Sequence, residues 1–109
     1  MTTMPEDLLA VLCNAPDLDC ARAIAERLVA DRLAACVNIL APCTSIYRWQ
    51  GSIESAQEIP VLAKTTRALY ARVESTIVAL HPYEVPEIIA LPIAAGLPAY
   101  LGWVVTETN

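Results

Sequence analysis

The residues of this 109-residue chain that could do chemistry gather in one stretch, His81-Pro82-Tyr83-Glu84-Val85-Pro86-Glu87. It holds the only histidine, one phenol and two carboxylates. An imidazole can ligate a metal through either ring nitrogen or move a proton, and its charge changes near neutral pH. At a helix C-terminus it can equally do no more than bond the last carbonyls. Glu84 and Glu87 could bind a hard cation or act as an acid and a base, or simply bond backbone donors or a neighbouring Lys or Arg. A second group of interest is Cys13, at the end of an apolar run. A thiolate beside an imidazole suits copper or zinc, and a buried thiol that only fills space is the competing reading. The remaining cysteines, Cys20, Cys36 and Cys43, form no C-x-x-C pair, so a structural zinc is not indicated. Cys36 reads as core.

These side chains must be positioned by the elements around them. Each proline of the joint lacks a backbone donor and pushes its predecessor toward an extended conformation, so neither a helix nor a ladder runs through. Asp7 to Asn14 reads as a strand, apolar without alternation, as when both faces are covered. Asp17 caps a helix from about Leu18 to Arg32, with Ala21, Ile24, Ala25 and Leu28 as its buried stripe. Leu33 to Trp49 is extended and interrupted at Pro42; Gln50-Gly51-Ser52 turns, and Ile53 to Thr65 returns. Thr66 is expected to cap a second helix, Arg67 to Leu80, with Leu69, Val73, Ile77 and Leu80 on one face. The joint follows, then a strand from Glu87 to Ile93. Ala99 to Val105 suits a short helix or strand, and Thr106 to Asn109 is expected to fray.

The order β-α-β-β-α-β plus a tail gives an α+β class and a single domain over 1–109. Right-handed crossovers and one hairpin favour the ferredoxin-like sandwich with an antiparallel sheet in the order 4-1-3-2. In that topology the end of the first strand lies beside the start of the fourth, so Cys13 and His81 should meet at one end of the sheet. The hairpin is overlong: about 16 residues per strand at ~3.3 Å each is ~50 Å, against a usual ~17–20 Å. Apolar residues make up 56% of the chain and charged residues 17%, more apolar surface than so small a globule can bury alone. Both features point to self-assembly. A net charge of −5 and the absence of Phe argue against nucleic acid. No apolar run approaches a membrane span or a signal-peptide core, so a cytoplasmic protein is expected.

Five segments resemble the CutA family of divalent-cation tolerance proteins. They are Leu33 to Ile39, Ser45-Ile46-Tyr47-Arg48-Trp49-Gln50-Gly51, Glu58 through Lys64-Thr65, His81 through Ile88, and Tyr100-Leu101-Gly102-Trp103. The resemblance implies a ferredoxin-like subunit in a tight homotrimer similar to the PII signal proteins, with hairpin arms crossing between subunits. It also implies a link to copper tolerance, with copper, or zinc or another divalent cation, bound at positions matching Cys13 and His81. Some members carry a second adjacent histidine where this chain has Leu80. The resemblance places Trp49, Glu58, Lys64, Tyr83 and Glu84 near an intersubunit cleft.

The function expected is therefore non-catalytic binding of a metal ion or a small molecule at that cleft, with no organic cofactor. Two alternatives stand beside it. One is a structural trimer that anchors protein partners. The other is a small acid–base enzyme using His81 with Glu84, which lacks both a nucleophile–base pair at a recognised spacing and a phosphate-binding glycine loop. Lys64, on an inner strand, needs an anion: a ligand, or Glu58 or Glu84 of a neighbour.

Overall fold

The computed structural model describes residues 7–109. Within them, five strands and three helices follow in the order β1 (Leu8–Ala15), α1 (Leu18–Ala30), β2 (Cys36–Ile39), β3 (Cys43–Trp49), β4 (Ser52–Thr66), α2 (Tyr70–Leu80), β5 (Ile88–Pro92) and α3 (Pro98–Thr106). The sheet runs β2-β4-β1-β5, and β3 continues along β4 beyond β2. With β2 and β3 counted as one interrupted strand, this is the ferredoxin-like order, and every pairing is antiparallel. The break falls where Pro42 cannot donate to a ladder, and Leu40 N–H bridges to the Pro60 carbonyl at 2.9 Å.

The helices α1 and α2 cover one face of the sheet. Ala21, Ile24, Ala25 and Leu28 are the buried stripe of α1, and Asp17 caps it by accepting from Cys20 N–H at 2.8 Å. Ile24 and Leu28 pack with Leu9, Val11 and Cys13 of β1 and Val73 and Ile77 of α2 into the main core, and Ala21 packs on Ala15 and Val61. The helix α1 stops at Ala30 rather than Arg32. Arg32 takes a left-handed φ of 56°, and the next amide, Leu33 N–H, reaches back to the Leu28 carbonyl at 2.9 Å.

Two expectations are corrected here. Thr66 makes no side-chain cap; a 3-10 turn over Arg67–Leu69 leads into α2, which begins only at Tyr70. The C-terminal residues do not fray. Arg32 donates from its guanidinium to the Thr106 carbonyl at 2.9 Å and sits 3.7 Å from Glu107, while its own carbonyl accepts from Asn109 N–H at 3.1 Å. Thr108 is buried and bonds the Val104 carbonyl at 2.8 Å.

The other face of the sheet is mostly open. The helix α3 covers only one end of it, where Leu101 and Val104 bury Leu8. Ala10, Leu12 and Asn14 alternate with the core residues of β1 and remain half-exposed, and Leu91 on β5 is 50% exposed. The β3–β4 hairpin closes through a two-residue turn in which Gln50 and Gly51 have φ of 49° and 83°. Two positive φ values match the twist of the flanking strands, and the glycine supplies the more extreme one without steric cost. This arm gives the chain its long dimension, 50 Å against 26 and 24 Å.

Candidate functional site

A cavity of about 610 Å³ opens between the arm and the 81–87 joint. Its arm wall follows from strand periodicity. In the β3–β4 register Cys43 faces Glu58, Ser45 faces Ala56, Tyr47 faces Glu54 and Trp49 faces Ser52, so Ser45, Tyr47, Trp49 and Glu58 share one pleated face. The opposite wall is Tyr83, Glu84, Val85 and Glu87, held extended by the two prolines.

Glu58 is the unusual member. It is only 7% exposed, yet none of the ion pairs among the described residues includes it. Its partner is the phenol of Tyr83. Burial, then the Glu58 carboxylate, raises Tyr83 above the usual phenol range, with smaller contributions from Tyr47 and Asp17. Tyr83 therefore stays protonated and donates. Glu87 accepts from the Asn14 amide at 3.3 Å.

Of the expected cleft residues, Trp49, Glu58, Tyr83 and Glu84 meet in this cavity; Lys64 does not line it. Lys64 is six residues farther along β4, ~20 Å at strand spacing. There it donates to Asn38 Oδ1 and lies 3.9 Å from Cys36 Sγ on the open face of the sheet. Cys36 is half-buried on that face rather than in the main core. Ser45, Tyr47 and Glu87 are lining residues that the sequence had not assigned to the cleft. Counting back by twos from Trp49 would have found the first two.

His81 caps α2 and is 7% exposed. Its N–H bonds the Ile77 carbonyl at 2.9 Å, and Pro82 holds it extended. Both ring nitrogens are engaged: Nδ1 is 3.2 Å from Tyr83 N, and Nε2 is 2.7 Å from the Asn14 carbonyl oxygen. An amide can only donate and a carbonyl can only accept, so the ring is neutral with its proton on Nε2. It meets Tyr83 edge-on with centroids 4.6 Å apart. The first strand and the joint thus meet at one end of the sheet, and the link is the Asn14 carbonyl.

Cys13 is 1% exposed and faces the helices, in the core with Ile24 and Leu28. Burial first, then Cys20, Glu87 and Glu58, push its thiol up to about 12. A metal needs a thiolate and a free ring nitrogen. As they stand, Cys13 and His81 offer neither, so the pair does not fit a copper ion in this arrangement. Among the described residues no group of three or more His, Cys, Asp or Glu side chains is arranged around a metal.

The profile described as CutA1 divalent ion tolerance protein matches residues 9–107. The divalent-cation tolerance protein CutA of Thermus thermophilus is 51% identical over 99 residues, covering 91% of this chain and 96% of that protein. Protein CutA of Mus musculus is 42% identical over 107 residues; the match takes in 96% of this chain but only 60% of the mouse protein. A solved structure of the divalent cation tolerance protein from Thermus thermophilus superposes with a TM-score of 0.92 at 49% identity, covering 94% of this chain and 99% of that one. With nearly its whole length matched in sequence and in fold, this chain belongs to the CutA1 divalent ion tolerance family.

Proposed function

We propose that this chain is a non-catalytic binding protein for divalent-cation tolerance, working as a cytoplasmic homotrimer that takes its ligand, a metal ion or a small molecule, in the cleft beneath the arm. The observation that carries this reading is Glu58, a buried carboxylate with no cationic partner among the described residues, on the wall of a 610 Å³ cavity. A buried charge of that kind calls for a cation from outside the chain.

Trimer assembly is supported by what the single chain leaves uncovered. Ile46 and Ile53, which share one pleated face of the arm, are 74% and 70% exposed. They and the open sheet face, which the register puts on opposite sides of β4, are apolar surfaces that other copies would cover. A non-catalytic role is supported by the occupation of His81, whose two nitrogens already hold the backbone. All four thiols are free, which suits a reducing compartment.

A copper ion at Cys13 and His81 would require the ring to give up at least one of its bonds and the thiol to lose its proton. The cleft needs no such rearrangement. Light scattering at micromolar concentration should report three chain masses, and Ile46→Lys with Ile53→Lys should lower that number. Titration of the reduced protein with copper and zinc, followed by heat and by melting temperature, tests the metal arm. A silent titration, unchanged in Cys13→Ser and His81→Ala, removes it. A monomer with all its surface satisfied would remove the assembly.

A further inference from the structure

We infer that the cleft is built for an organic cation: an alkyl or aromatic ammonium, held by carboxylates against aromatic faces. The inference rests on the reading of this cavity as a ligand seat and names what the seat selects. Among the described residues three carboxylates, Glu58, Glu84 and Glu87, line the cavity, and no Lys, Arg or His does. Anionic ligands are therefore repelled, and an amine is attracted.

The walls carry the second part of the argument. Tyr47, Trp49 and Tyr83 all line the cavity. Ring faces attract a cation by their quadrupole, most strongly for Trp and most strongly when water is excluded. Three aromatics add little for a bare divalent ion, which seeks six to eight oxygens at close range. The carboxylates are not gathered around such a point. A volume of about 610 Å³ likewise lies in the range of small organic ligands.

The third part is Glu58 itself. Tyr83 meets one of its hydrogen-bonding needs but not its charge. Glu58 comes from β4, whereas Glu84 and Glu87 lie in the joint on the opposite wall. That arrangement suits a ligand with two ammonium groups, one on each wall, better than a compact one.

The experiment uses the assembled wild-type protein and 1,4-diaminobutane as the probe, with tetramethylammonium, glutarate and copper(II) in parallel. Binding is read by calorimetry and by Trp49 fluorescence in a Trp103→Phe background. The diamine should bind saturably, tetramethylammonium more weakly and glutarate not at all. Glu58→Gln, which keeps the shape and an acceptor for Tyr83, should weaken diamine binding about tenfold or more. Trp49→Leu should weaken both cations. Diamine binding that survives Glu58→Gln unchanged would be general surface attraction and would overturn the inference. So would binding that appears only in Lys64→Met, because a neighbouring copy's lysine would then already fill the seat. If copper or glutarate binds in the cleft and the amines do not, the inference falls while the cleft remains a ligand seat. If nothing binds and Glu58→Gln changes no titration, both fall.

Discussion

Replacing His81 by Ala separates a structural imidazole from a ligating one, and the outcome is computable from the contacts. The ring ties two backbone groups: the Asn14 carbonyl at 2.7 Å and the Tyr83 amide at 3.2 Å. His81 is 7% exposed, so the space left by Ala is only partly open to water. Orphaning a buried backbone group costs ~1–3 kcal/mol, and Asn14, being half-exposed, belongs at the low end. Loss of the edge-on contact with Tyr83 adds ~0.5–1 kcal/mol. The expected loss is about 2–4 kcal/mol, a substantial share of the ~5–15 kcal/mol typical of a whole domain. The assay is urea unfolding at fixed chain concentration, with chelator present so that no metal contributes. His81→Gln, which can restore one of the two bonds, should recover about 1 kcal/mol. A ring that matters only as a ligand would give a different result: unchanged stability in chelator, and loss only of the increment that metal supplies. A deficit under about 0.5 kcal/mol in chelator would refute the structural reasoning.

Four further outcomes follow from the same structure. Cys13 should be the last thiol alkylated by iodoacetamide at pH 8; a thiol near 12 holds about a thousandfold less thiolate there than an ordinary one near 9, and mass spectrometry after timed quenching reads the order. Because its folded value lies above its unfolded one, Cys13 favours the native state fully below pH 9 and loses that contribution as pH rises toward 12, so the urea midpoint should fall more steeply from pH 9 to 11 in the wild type than in Cys13→Val. Ile77→Ala empties a site 1% exposed between α1 and the sheet and should cost ~2–5 kcal/mol in urea, whereas Asp17→Ala removes a single cap bond and should cost ~1 kcal/mol.

Much of the fold was legible because it rests on period and punctuation. The α1 stripe at Ala21, Ile24, Ala25 and Leu28 is the buried stripe, and the strand order follows from connection rules. That Trp49, Glu58, Tyr83 and Glu84 line one cavity was reached through the resemblance, and the strand register explains why Trp49 and Glu58 share a face of the arm. What escaped depends on contacts between segments remote in sequence. Nothing local to Thr106–Asn109 announces that Arg32, 74 residues before Thr106, pins the tail. No pattern around His81 shows that an Asn14 carbonyl and a Tyr83 amide occupy its ring. Lys64 was expected at a cleft between copies, and within one chain it lies away from the cavity. Sharing a strand and a face with Glu58 does not bring it near, because each strand residue adds ~3.3 Å and six of them separate the ammonium from the carboxylate.

The first strand carries the same argument to the level of the assembly. Leu8 to Cys13 is apolar at every position, which is the pattern of a strand covered on both sides. The described residues cover one side fully, with Leu9, Val11 and Cys13 under the helices, and reach the other only at Leu8. Ala10 and Leu12 are thus written for burial that the described residues do not supply. Glu58 repeats the pattern in charge: its position is buried enough to demand a cation, and the described residues hold none for it. The coverage and countercharge that the described residues leave incomplete are what the proposed assembly and its ligand would supply. The two deficits call for different partners. The open apolar face fits a second copy of the chain, whereas the aromatic, carboxylate-lined cavity fits a small cation.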